Sequence, residues 1–559
     1  MNALLFIALM VCSTTLLSWP LGKYMKWAMD PPEANHRLSN WKNRVFKFIG
    51  GKCLGEEQHW HQYLVSMLIF NIGMFLVSFG TMALQHHLPL NPDGQGAVEA
   101  SLVFNTAASF TTNTNLQHYS GETTFSYFSQ LGALMWLQFV SAATGIAALT
   151  ALARGLAGRQ TMGNFFLDLQ RACFLVLLPM AMVIASLMVL SGVPMTLEGA
   201  VKATTVEGMQ QIIARGPVAA FLTIKQLGTN GGGFFGPNCT HPFENPTFWT
   251  NVLSTVSILM IPMACVWMFG RVIGRLRHAS VIFTVMMVFL LAKVVGAAWF
   301  EQAPTQAFAD LPIEQISGNL EGKEMRFGAA AGSFWAVATT STSNGSVNAM
   351  HDSLNPLTGL MPMIGMWLNT TFGGVGVGMI NMFIYIILAV FVAGMMVGRT
   401  PEYLGRRIEA REVKLAAAAL LAHPILILLG TAIFAVTPWG KDALNNTGPH
   451  GFSEILYEFS SAAANNGSGF EGLNDNTVPW NIATGIVMLL GRYIPIILPL
   501  AIANSIATKR TMGKSPGTLE TESGTFGFML FATIVFVGAL TFLPTAMLGP
   551  IAEHFLYMK

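Results

Sequence analysis

Four stretches of this 559-residue chain share one composition: Ser109-Phe-Thr-Thr-Asn-Thr-Asn115, Leu227-Gly-Thr-Asn-Gly-Gly-Gly233, Thr340-Ser-Thr-Ser-Asn-Gly-Ser346 and Ala463-Ala-Asn-Asn-Gly-Ser-Gly469. Aligned on Asn113, Asn230, Asn344 and Asn466, they recur every 114–122 residues. A short apolar segment precedes each, and a long apolar run follows after a loop. Recurrence at a fixed period marks an internal repeat. In an apolar chain, four small-residue loops in equivalent positions predict four pore loops around one axis. Ordinary Asn-Gly turns in outer loops account for any one copy. Four copies in equivalent places favour the pore.

The surrounding composition supports a membrane setting. Hydrophobic residues make up 52%, charged residues only 10%, and mean hydropathy is +0.52; soluble domains carry about 25% charged residues. A net charge of +2 gives no footing for a nucleic-acid partner. Five scattered cysteines, without a CxxC or a His pairing, indicate neither a disulfide framework nor a zinc site. The run 3–19 lacks a basic segment before it and has Lys23 and Lys26 after it, so it reads as a retained helix rather than a signal peptide.

Ten spans of sufficient length are predicted, at 3–20, 62–84, 126–150, 172–192, 249–270, 279–300, 357–397, 415–437, 481–507 and 525–548. Every second connection is basic, and together these hold 21 of the 30 Lys and Arg. The alternate connections hold the four motifs and are neutral or acidic. By the positive-inside rule the basic loops are cytoplasmic, the motif loops lie outside, and both termini lie outside. The organisation is a leading helix with a basic loop (1–61), four span–pore-loop–span repeats (62–150, 172–270, 279–397, 415–507) and a tenth helix (525–548).

The motif residues suit cation binding. A dehydrated cation needs replacement oxygens, which rings of backbone carbonyls supply in potassium channels. Turning carbonyls toward an axis takes unusual backbone angles, open to Gly and tolerated by Asn. Ser and Thr hydroxyls add ligands or pin the loop. Segments 98–110, 216–227, 329–339 and 452–463 are predicted pore half-helices with C-terminal dipole ends toward the ion. No motif core carries Asp or Glu, which disfavours a calcium-type ring; residue chemistry alone leaves K⁺ against Na⁺ open.

At this point the chain resembles the KdpA family, the potassium-binding subunits of bacterial Kdp potassium-transporting ATPases. The four motifs carry the resemblance, with Phe372-Gly-Gly-Val-Gly-Val-Gly378, Gly398-Arg-Thr-Pro-Glu-Tyr-Leu-Gly405 and Gly448-Pro-His-Gly-Phe-Ser-Glu454. It implies an all-α polytopic fold of ten transmembrane helices, with four pore repeats in pseudo-fourfold array. It implies a filter of Thr112, Asn113, Thr114, Asn115; Thr229, Asn230, Gly231, Gly232; Ser343, Asn344, Gly345, Ser346; and Asn465, Asn466, Gly467, Ser468. Gln117 lines the outer mouth. K⁺ is the ion, entering from the periplasm and handed to KdpB, a P-type ATPase; KdpC and KdpF complete the complex in the bacterial inner membrane. Members often carry a Glu shortly before the Phe-Gly-Gly segment, where this chain has Asn369, so another contact must hold that loop.

Three features inside the spans call for a role. Gly373, Gly374, Gly376 and Gly378 interrupt the 357–397 run and predict an intramembrane loop that closes the straight path below the filter; close helix packing through small residues is the alternative. Arg492 sits within span 9 and Lys293 within span 6. Intramembrane cations are costly and mark a pathway or a partner. Arg492 is read as part of the gate, against snorkelling or a structural contact. Neither a P-loop nor an Asp-Lys-Thr-Gly-Thr phosphorylation motif is present. The chain therefore reads as a subunit without catalytic residues or a bound nucleotide. A stand-alone channel or secondary transporter of the same fold is the runner-up. A scaffold or sensor is a third reading.

Overall fold

The computed structural model describes residues 3–31, 56–305, 308, 311–398, 400–511 and 520–557. Most of the first basic loop, with Arg37, Lys42, Arg44, Lys47 and Lys52, lies outside the described residues, as do Arg399 and Lys514.

Among the described residues, ten helices are long and apolar enough to cross a membrane. They are α1 (Ala3–Met29), α2 (Trp60–Ala83), α4 (Ser129–Leu156), α5 (Phe165–Leu190), α7 (Phe248–Val272), α8 (Leu276–Glu301), α11 (Val377–Met396), α12 (Ala410–Val436), α14 (Val478–Ala507) and α15 (Gly524–Leu548), the last followed by a short C-terminal helix, Pro550–Tyr557. Four shorter helices end at the motifs: α3 (Ala100–Thr111), α6 (Val218–Leu227), α9 (Gly328–Ser341) and α13 (Gly448–Ala464). The chain is thus a multi-pass membrane protein of four span–pore-helix–span units, flanked by α1 and α15.

Burial separates an inner ring from an outer one. The long helix after each motif is 61–78% buried (α4, α7, α11, α14), α1, α2, α5, α12 and α15 are 17–28% buried, and α8, at 56%, stands between the two sets. The outer helices keep apolar side chains such as Leu16, Ile69, Met182, Leu429 and Leu540 exposed. Such side chains face hydrocarbon at no cost, so hydropathy alone does not distinguish the two rings.

The predicted alternation of loops is visible as two separate sets of contacts. On one face Gln58 pairs with Gly163, Arg154 binds Asp30 and Asp168, Arg406 donates to Leu156 O, Arg275 meets Glu522, and Lys509 meets Glu412. On the other, Arg326 donates to Asn245 O, the His351 N–H donates to Glu471, and His450 meets Asp352. Basic loops join basic loops, and motif loops join motif loops.

The seventh predicted span departs from expectation. Residues 357–397 form α10 (Pro356–Leu368), a break at 369–376, and α11, which continues to Val397. The break begins at Asn369, four residues before the glycines, because Asn369 caps α10 in the left-handed region (φ +46°). Gly378 lies inside α11 rather than in the loop; a Cβ there would sit 1.8 Å from Phe372 O.

Candidate ion filter and the loop beneath it

Each motif leaves its pore helix through the same three-residue turn. Asn113, Thr229, Ser343 and Asn465 have φ between +46° and +63°, and Asn115, Gly231, Gly345 and Gly467 have φ between +56° and +106°. Thr114, Asn230, Asn344 and Asn466 stand between, and their N–H groups donate to Ser109 O, Lys225 O, Thr339 O and Ser461 O, each five residues back. Residues with φ > 0 on either side of one without it turn successive peptide groups toward one side of the loop.

These bonds correct the register of the first repeat. Thr114, not Asn113, is equivalent to Asn230, Asn344 and Asn466. Thr112, expected to open the first filter, is the C-cap of α3, the place held by Gly228 in repeat 2. Matching by residue type misled here, because the first motif has Asn on both sides of the Thr that occupies the shared position.

The four loops close into a ring. A Cβ on Gly231 would lie 2.0 Å from Asn344 O, one on Gly345 2.1 Å from Asn466 O, and one on Gly467 2.1 Å from Thr114 O. Glycine is needed because the neighbouring carbonyl occupies the side-chain position. Side chains join the same neighbours: Asn113 Nδ2 donates to Thr229 O (2.8 Å), Asn344 Nδ2 to Lys225 O (3.2 Å), Asn466 Nδ2 to Thr339 O (3.0 Å) and Asn465 Nδ2 to Thr114 Oγ1 (2.9 Å). Asn115 breaks the symmetry, carrying a side chain where the other repeats have Gly; its buried carboxamide makes no hydrogen bond among the described residues.

A second layer holds the ring from behind. Trp335 Nε1 donates to Ser346 O, and the Tyr457 hydroxyl meets Ser468 Oγ, both at 2.8 Å. Gln117 is paired twice with Gly233, accepting from its N–H (2.7 Å) and donating to its carbonyl (3.1 Å). It therefore bridges the first two loops at their outer end. The buried Lys225–Glu244 ion pair stands behind the second loop, and Glu244 also accepts from the Phe234 and Phe235 N–H groups.

His118 is sealed between repeats 1 and 4. Its Nδ1 donates to Asn481 Oδ1 (2.7 Å), and Nε2 lies 3.2 Å from Glu458 and 3.7 Å from Asp475. Burial alone lowers an imidazolium pKa, but the Asp475 and Glu458 carboxylates outweigh it and raise this one to about 9. A folded pKa above the unfolded value of 6.5 stabilises the fold fully below pH 6.5 and loses that contribution as pH rises through about 9. The shift is worth on the order of 3 kcal/mol. Wild type is expected to lose thermal stability between pH 6.5 and about 10, and His118→Gln to lose much less over that range. Parallel melting curves for the two would refute the assignment.

The 369–376 break lies against the inner end of the ring. Thr229 Oγ1 accepts from the Val375 N–H (3.0 Å), Ser341 O from the Gly373 N–H (2.8 Å), and Asn369 Oδ1 from Ser343 Oγ (2.8 Å). Asn369 Nδ2 reaches Ala464 O (3.2 Å). The loop is thus held by neutral amide and hydroxyl contacts. Gly376 fits because a Cβ would lie 2.0 Å from Gly145 O. Gly374 faces Ser343 and Thr229 with room to spare. The Thr370 and Thr371 hydroxyls are buried without a hydrogen-bond partner among the described residues.

Both intramembrane cations reach this assembly. Arg492 Nη2 donates to Ser141 O (3.0 Å), and the Ser141 hydroxyl bonds Asn113 Oδ1 and Asn230 Oδ1. Lys293 Nζ donates to Ser341 Oγ (2.7 Å), at the end of α9 and beside the loop. Ser141, Glu244 and Trp335 drew no notice in the sequence. They lie on different elements, and no spacing announces them.

Four half-helices, four interlocked loops and the 369–376 loop packed against them define a pore-loop membrane protein of the cation-transporter class. Its fold is that of the crystal structure of the potassium transporter TrkH from Vibrio parahaemolyticus, with TM-score 0.53 and 12% identity over 87% of this chain and 96% of that one. The chain belongs to the KdpA family, described as Potassium-transporting ATPase A subunit, whose sequence model matches residues 8–555. It is 46% identical over 549 residues to the "Potassium-transporting ATPase potassium-binding subunit" of Phocaeicola vulgatus, covering 96% of this chain and 97% of that one. The protein of the same description from Flavobacterium johnsoniae is 47% identical over 567 aligned residues, covering 97% of each chain.

Proposed function

We propose that this chain is the potassium-binding and translocating subunit of an ATP-driven potassium uptake system in the bacterial inner membrane. K⁺ enters from the periplasmic side, where the motif loops and both termini lie. The filter consists of Asn113–Leu116, Thr229–Gly232, Ser343–Ser346 and Asn465–Ser468, taken in the register of the hydrogen bonds. The closed ring of four loops carries this reading. Its left-handed residues turn carbonyls to one axis, and the C-terminal ends of four half-helices supply a negative field at its base.

The 369–376 loop, supported by Thr229, Ser341 and Ser343, blocks the direct exit, and the Thr370 and Thr371 hydroxyls offer oxygens to an ion arriving there. Arg492 and Lys293 hold the filter base and the plug in place and discourage a cation from leaking past them. The ion leaves sideways to a KdpB-type P-type ATPase subunit, which binds the nucleotide and performs the chemistry; KdpC and KdpF are the further partners.

The test is ATP hydrolysis by the complex purified gently from its native membrane. Potassium should stimulate it, and Gly232→Asp should shift stimulation to much higher K⁺ or abolish it. A Cβ at Gly232 already lies 2.8 Å from Asn115 Cβ, and Asp adds a charge to an uncharged ring. No hydrolysis in the preparation, together with K⁺ flux through the chain alone in liposomes, would point to a channel instead.

A further inference from the structure

Away from the filter, on the motif-loop face, three elements bring one imidazole and three carboxylates together. His450 and Glu454 are four residues apart on α13, which places them on one helix face. Asp352 comes from the loop after the third filter. One donor atom from each of Asp352, His450 and Glu454 lies within 4.8 Å of the other two. His450 Nε2 faces Asp352 Oδ1 at 2.9 Å, and Nδ1 faces Glu553 Oε1 at 2.8 Å. Glu553 belongs to the C-terminal helical segment Pro550–Tyr557. Asn445 and Asn446 hold the Glu454 carboxylate through two backbone N–H groups and the Asn446 amide.

We infer that Asp352, His450 and Glu454 form a site for a divalent transition-metal ion of the Zn²⁺ type, with Glu553 orienting the histidine from behind. The donor set is one imidazole nitrogen and two carboxylate oxygens, which suits Zn²⁺ with water in a fourth position. A carboxylate on the far ring nitrogen of a ligating histidine fixes its tautomer and raises its basicity. Water and ion reach the site through a cavity of about 320 Å³ lined by Asp352, His450, Glu553 and His554. A tetrahedral ion with bonds of about 2.05 Å holds its donors about 3.4 Å apart, so the carboxylates need only modest side-chain rotation to close on it.

The second histidine–carboxylate group differs in a decisive way. The His118 and Glu458 side chains are 0% and 1% exposed, whereas those of His450 and Asp352 are 17% and 16% exposed and line the cavity through which an ion can arrive. At His450 the ion would tie the third repeat to the fourth pore helix, and through Glu553 to the C-terminal helical segment. The sequence showed no zinc pattern because Asp352 lies about a hundred residues from the other two ligands.

The test is Zn²⁺ content of the purified full-length complex, stripped with a chelator, equilibrated with Zn²⁺ and passed through a desalting column. Wild type is expected to retain one Zn²⁺ per chain more than His450→Gln and Glu454→Gln. Glu553→Gln keeps all three ligands and should weaken Zn²⁺ binding by about 10–100-fold. It also carries the test if His450→Gln fails to assemble. Equal Zn²⁺ retention by wild type and the ligand variants, or unchanged affinity in Glu553→Gln, would overturn the inference. Neither result bears on the filter, because the site lies apart from the four loops.

Discussion

Gly345→Ala is expected to raise the K⁺ concentration for half-maximal ATPase stimulation by at least about 100-fold. Two independent effects act at this position. Its φ of +93° is one that a residue with a Cβ adopts only with strain, and the Cβ would lie 2.1 Å from Asn466 O and 2.8 Å from Gly467 Cα. The methyl group can be accommodated only by moving the fourth loop. A displacement of about 1 Å in a positioned group costs on the order of 100-fold in function. Asn115→Gly is the control. It removes a side chain from the equivalent place in repeat 1 and should shift the K⁺ dependence far less. Similar shifts in both would mean that ring symmetry does not govern binding.

Lys225→Met is expected to destabilise the complex severely, with Lys225→Met/Glu244→Gln melting above the single variant. Both side chains of the pair are fully buried behind the second filter loop. Removing one partner of a buried pair strands the other and costs about 3–5 kcal/mol. The double variant strands no charge. The glutamine put in place of Glu244 can still accept from the Phe234 and Phe235 N–H groups through its side-chain carbonyl oxygen. Thermal midpoints of the purified complexes decide it. A double variant less stable than Lys225→Met would show that the pair is not coupled.

Much of the architecture was legible in the sequence. Span count and alternation follow from apolar length and basic loops, and the structure keeps basic and motif loops on separate faces. The four motifs were legible because the unusual backbone needs residues that tolerate φ > 0, and few residue types do. The limits were local. A pattern matched by residue identity put the first filter one residue early. The equivalent position holds Thr114, and only the bonds to Ser109 O, Lys225 O, Thr339 O and Ser461 O give the common register. The start of the intramembrane break was hidden too, since Asn369 ends α10 without a glycine.

What supports the site was not legible at all. Lys225 reads as a lone cation in an apolar half-helix until Glu244 is brought to it from a later loop. Asn369 reads as a missing charge until its amide is seen between Ser343 and Ala464. By itself the sequence determined membrane residence, ten spans, fourfold repetition and the residue types of the four loops. Each of these depends on local physics: apolar length, loop charge and backbone freedom. Tertiary structure alone decided which carbonyl meets which glycine, how the 369–376 loop is held, and which buried charges are paired. Those depend on contacts between residues far apart in the chain, and their partners carry no mark in their own neighbourhoods.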